Sequence, residues 1–115
     1  MSVMLVMCTV PNRDTAEILA KALVESRLAA CVAIQPPGES VYRWEGRLEK
    51  STELTLFIKT TREGYPALEA AIVRLHPYEV PEILAFDAAG LPAYMKWVSD
   101  SVIASSPLLS DSGEE

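Results

Sequence analysis

The chain has 115 residues, half of them hydrophobic, with a formal net charge of -6. That length and apolar content suit one domain around one core, and acidic residues scattered along the chain exclude the clustered Lys and Arg of a nucleic-acid-binding surface. No apolar run reaches the roughly 20 residues of a membrane span, and the start MSVMLVMC lacks a basic segment and a small-residue cleavage site, so a cytoplasmic protein without a membrane partner is expected.

In chain order, VMLVMC over 3–8 is a continuous apolar run too short for a core helix, which predicts a strand buried on both faces. After TVPN an amphipathic helix is expected from Arg13 to Arg27, with Asn12 or Asp14 as N-cap and Ile18, Leu19, Ala22 and Leu23 as its core face. Arg13, Glu17, Lys21 and Glu25 recur at four-residue spacing with alternating sign, as on a solvated helix face. AACVAIQ reads as a second strand, broken by PPG. SVYRWEGRLEKSTELTLFIKTT reads as two long strands turning at Glu45 and Gly46. Arms longer than the common 5 to 6 residues are expected to project from the body and to seek a partner. A second helix is expected from Glu63 to Leu75, with Leu68, Ile72 and Leu75 facing the core and Pro77 stopping it. PEILAFDA is a fourth strand in this reading, and LPAYMKWVSDSVIA a last helix with Tyr94, Trp97, Val98 and Val102 on one side.

The order strand, helix, strand, strand, helix, strand, helix is an α+β class pattern. It matches the ferredoxin-like βαββαβ plan with an antiparallel sheet, a long hairpin between its second and third strands, and an extra C-terminal helix. The domain is expected over 1–104, with 105–115 as a flexible tail. In this plan the first strand is central and both main helices cover one face. A first strand apolar on both sides then needs cover on the other face, and another copy of the chain is the expected cover.

The same topology brings His76, the single histidine, close to the end of the first strand at Cys8. A thiolate and an imidazole suit copper or zinc, and Glu79 or Glu82 could add an oxygen. Plainer readings stand beside this one. His76 can interact with a helix C-terminus, and Cys8 can serve as a small buried hydrophobe. Tyr42 and Trp44 near the hairpin tip can stack on a ligand or pack across an oligomer interface. Two cysteines do not make a disulfide framework, and with so few cysteines and one histidine a closed structural zinc site within one chain is nearly excluded. The dispersed glycines form no phosphate-binding loop. No nucleophile has the orienting context of a catalytic triad, so an enzyme is not expected.

CTVPN, ALVESRLAACV, SVYRWEGRLE, LFIKTT, LHPYEVPEI and AYMKWV, in this order and over about residues 3–103, resemble the CutA family of divalent-cation-tolerance proteins. The resemblance implies a homotrimer assembled through the long hairpins, similar in architecture to the trimeric PII signalling proteins, that binds divalent cations and is not an enzyme. Copper ligands proposed in that family map onto Cys8 and His76, with Glu79 and Glu82 as auxiliary candidates. The chain departs from relatives that carry a His-His pair before PY, since Leu75 stands at the first of the two positions. The alternative within the same resemblance is a PII-like sensor or adaptor whose inter-subunit clefts bind a small molecule or protein, with Lys59, Tyr42, Trp44 and Glu79 as residues of interest.

Overall fold

Residues 2–103 are described by a computed structural model. The elements are β1 (Val3–Val10), α1 (Arg13–Glu25), β2 (Cys31–Ile34), β3 (Gly38–Trp44), β4 (Arg47–Thr61), α2 (Tyr65–Leu75), β5 (Ile83–Ala88) and α3 (Pro92–Ser101). The tail expected over 105–115 lies outside the described residues. β1 is central, antiparallel to β4 on one side and β5 on the other, and β2 closes the order β2-β4-β1-β5. This is the ferredoxin-like arrangement expected from the element order.

Each boundary has a local cause. The Asn12 side chain accepts a hydrogen bond from the Thr15 N–H at 2.8 Å, which caps α1. α1 ends at Glu25, two residues before the expected Arg27. Arg27 adopts φ 62 just beyond it. Its guanidinium donates to the carbonyls of Ser101 and Asp100, so the turn after α1 also holds the end of α3. α2 starts at Tyr65 rather than Glu63, where Pro66 fits a first turn that has no intrahelical partner for its N–H. Glu45 and Gly46 both have positive φ, as the two central residues of a tight hairpin turn with the right-handed twist require.

The core lies between the sheet and the helices. Met4, Val6, Cys8 and Val10 of β1 and Leu54, Leu56 and Ile58 of β4 point toward Leu19 and Leu23 of α1 and Leu68 and Ile72 of α2. Two expected core residues are exposed. Ile18 is 63% exposed because the buried stripe of α1 runs through Ala16, Leu19 and Leu23, one position round the helix. Leu75 is exposed although its spacing puts it on the face of Leu68 and Ile72, because α2 ends at this residue and the His76 side chain, in extended backbone, is the one buried. In α3, Val98 and Val102 are buried as expected, whereas Tyr94 and Trp97 stack on each other at 5.6 Å near the surface.

The odd-numbered residues of β1 and β4 face away from the helices. Leu5, Met7 and Phe57 are half-buried there, beside Leu84 and Phe86 of β5, which the register pairs with Met7 and Leu5 and which are half-exposed. β1 is therefore apolar on both faces, but only one face is covered within the chain.

Candidate functional site

The loop from His76 to Glu82 crosses the end of β1. Pro77 pushes His76 into extended backbone, ending α2 while the His76 N–H still donates to the Ile72 carbonyl at 2.8 Å. The ring turns inward and is 92% buried by its 8% exposure. Its Nε2–H donates to the Thr9 carbonyl at 2.7 Å, and its Nδ1 accepts the Tyr78 N–H at 3.1 Å. Accepting at Nδ1 leaves the proton on Nε2, so both ring nitrogens are engaged in one neutral tautomer.

Cys8 meets the same carbonyl. Its Sγ lies 3.8 Å from the Thr9 oxygen, and the residue is fully buried on the helix-facing side of β1. Burial pushes its thiol up to about 12, with the charge of Glu82 adding to the shift. The two residues singled out from sequence therefore converge on one backbone oxygen. Glu79 and Glu82 stand exposed at the mouth of the loop. Among the described residues, no three of His, Cys, Asp and Glu lie close enough to hold one metal ion, so these side chains as they stand are not a ready-made metal centre.

Outside this pair lies a cavity of about 330 Å³ between the loop and the long hairpin. Tyr42, Trp44 and Glu53 line it from the hairpin, Tyr78, Val80 and both loop glutamates from the loop, and Thr9 from β1. The Tyr78 hydroxyl donates to Glu53 at 2.9 Å and its ring packs 4.8 Å from that of His76, which ties the loop to β4. Burial and the Glu53 carboxylate push the Tyr78 phenol up to about 12. Sequence reasoning missed Glu53, Tyr78 and Thr9 as site residues. Glu53 falls in the second arm of the expected hairpin, but no local pattern connects it with a tyrosine in a distant loop.

Fold and site together define a ferredoxin-like α+β subunit with a projecting hairpin, a buried Cys–His pair and an acidic, aromatic cavity at one end of the sheet. The model of the CutA1 divalent ion tolerance protein family matches residues 4–101. The divalent-cation tolerance protein CutA of Thermus thermophilus is 46% identical over 97 residues, covering 84% of this chain and 94% of the relative. A solved Thermus thermophilus Cut A1 structure superposes with a TM-score of 0.85 at 44% identity, covering 88% of this chain and 99% of the other. The structure described as the periplasmic divalent cation tolerance protein CutA of Archaeoglobus fulgidus gives 0.84 at 33% identity, over 88% and 99%. Animal relatives are longer, and the chain spans between 51% and 67% of their length. The chain belongs to the CutA1 divalent ion tolerance family, whose descriptions name tolerance and no catalytic activity.

Proposed function

We propose that this protein acts in divalent-cation tolerance as a non-enzymatic homotrimer that binds divalent cations, copper foremost, where β1 ends. The observation that supports this reading is the meeting of Cys8 and His76 on the Thr9 carbonyl, with Glu79 and Glu82 exposed on the loop that follows His76. Copper held by both residues needs a ring nitrogen that now bonds the Thr9 carbonyl or the Tyr78 N–H and a Cys8 sulfur that now carries a proton, so uptake breaks one of these hydrogen bonds and releases a proton. Affinity should therefore rise with pH and fall short of that of a preformed site. The test is copper titration of the wild type, Cys8→Ser and His76→Ala by calorimetry. Loss of stoichiometric binding in both variants is the expected result, and unchanged binding in both rejects the pair.

Trimerisation is supported by the uncovered apolar sheet face and the projecting hairpin. A cytoplasmic site of action is supported by two free cysteines among the described residues, Cys8 and Cys31, as expected in a reducing compartment. Cell fractionation tests it, and recovery in the periplasm, where the Archaeoglobus relative's description places that protein, rejects it. The cavity favours a second reading, a PII-like sensor or adaptor with a small ligand in a cleft between subunits. A thermal-shift screen with small molecules and metals separates the two, because only a ligand of the folded state raises the melting temperature.

A further inference from the structure

We propose that the cavity between the hairpin and the 76–82 loop is a binding site for a small organic cation of the aliphatic polyamine class. Three features of its wall favour such a ligand. Glu53, Glu79 and Glu82 line it and, among the described residues, no lysine or arginine does, which disfavours nucleotides and other anions. Tyr42, Trp44 and Tyr78 supply aromatic surface, which attracts an ammonium group through the ring quadrupole and packs against a methylene chain. Thr9, a residue 9% exposed, borders this space, and its hydroxyl has no hydrogen-bond partner among the described residues. A buried hydroxyl left unpaired is costly, and a ligand N–H would satisfy it.

Size separates an organic cation from a bare metal ion. A metal needs oxygen donors at about 2.0 to 2.6 Å, whereas no three candidate ligands among the described residues converge. A volume of about 330 Å³ is at the lower end of cavities that enclose organic ligands. Carboxylates carried separately by β4 and by the loop suit a ligand with amines at both ends of an apolar chain. Glu53 remains able to accept from such an amine while it holds the Tyr78 hydroxyl, since a carboxylate offers about four lone-pair sites.

This proposal rests on the small-ligand reading of the cavity and not on copper at Cys8, which lies in the core and does not line the cavity; Glu79 and Glu82 are common to both readings, whereas Trp44 and Thr9 test the cavity alone. The experiment is calorimetric titration of the full chain with spermidine at low ionic strength, with magnesium as an inorganic competitor. One saturable site per chain is expected, which magnesium at equal charge concentration does not displace. Trp44→Ala and Thr9→Val should each weaken binding by about tenfold, the effect of one lost cation–π or hydrogen-bond contact, and the double variant Glu79→Gln/Glu82→Gln, which removes two carboxylates, by at least as much. Trp44 is half-exposed and the loop glutamates are exposed, so circular dichroism of the Trp44 variant and of the double glutamate variant should match wild type. Absence of saturable binding, as when a second copy of the chain fills the cavity, overturns the proposal. Displacement by magnesium, or variants that bind like wild type, overturns it as well.

Discussion

Cys8 is governed at the residue scale by where its side chain sits. In the folded chain its thiol is raised from 9.0 to about 12, chiefly by burial and further by Glu82. The folded state thus holds the proton more tightly than the unfolded state. Its contribution to stability is fully present below about pH 9 and is lost as pH rises toward 12. Denaturant unfolding from pH 8 to 11 should show wild type losing more stability than Cys8→Ala, with the difference opening above pH 9. Tyr65 and Tyr78 are also raised to about 12, but both variants share them, so they drop out of the comparison. Parallel pH curves for the two proteins would contradict the assigned environment. His76 shows the limit of residue-level reading in the other direction. Its position before Pro77 was visible as a helix stop, but the carbonyl and amide that occupy its two nitrogens come from Thr9 and Tyr78, and only folding brings the first of these near.

Elements meet most tightly around Gly64, at the N-terminus of α2. A Cβ there would lie 2.8 Å from Val102 Cγ1 and 3.1 Å from Thr61 Oγ1, so the end of β4, the start of α2 and the residue after α3 share one contact. The Gly64 N–H donates to the Thr61 hydroxyl at 3.0 Å, and the buried Thr60 hydroxyl donates to the Leu28 carbonyl at 2.8 Å. Gly64→Ala should therefore destabilise the protein by about 1 to 3 kcal/mol through overpacking. Hydrogen exchange should show the loss of protection greatest in α3. Stability equal to wild type would mean that Val102 yields freely. Most elements were legible from periodicity and caps, because hydrophobic spacing and the Asn12 and Pro66 signals act within a few residues. The errors at Ile18 and Leu75 share a cause. Ile18 lies one position off the buried stripe of its helix and Leu75 at the last position of its own, and at both the partner surface, not the residue's own hydrophobicity, decides burial.

At the scale of the whole molecule, the uncovered sheet face is the dominant feature. Leu84 and Phe86 on β5 are 50% and 48% exposed, and they continue an apolar surface through Leu5, Met7 and Phe57. Lys59 is paired in register with Leu5 on that face, so the surface carries one cation among apolar groups. Covering it with further copies would remove apolar area from water at roughly 25 cal/mol per Å². The proposed trimer predicts that Phe86→Lys shifts the protein toward monomer in light scattering and that the wild-type melting temperature rises with protein concentration. A wild type that is monomeric at micromolar concentration would refute the assembly.

The sequence by itself determined the element order and hence the sheet order, because short-range periodicity and turn chemistry leave few right-handed, unknotted arrangements. It also brought Cys8 and His76 to the same end of the sheet, since an antiparallel pairing of β1 with β5 requires it. Only the tertiary structure decided what those residues face. The inward turn of His76, the burial of the Cys8 thiol and the acidic, aromatic cavity outside them depend on contacts between a loop, a hairpin and a strand end that are remote along the chain. Such contacts are set by packing geometry, which no local pattern of residues encodes.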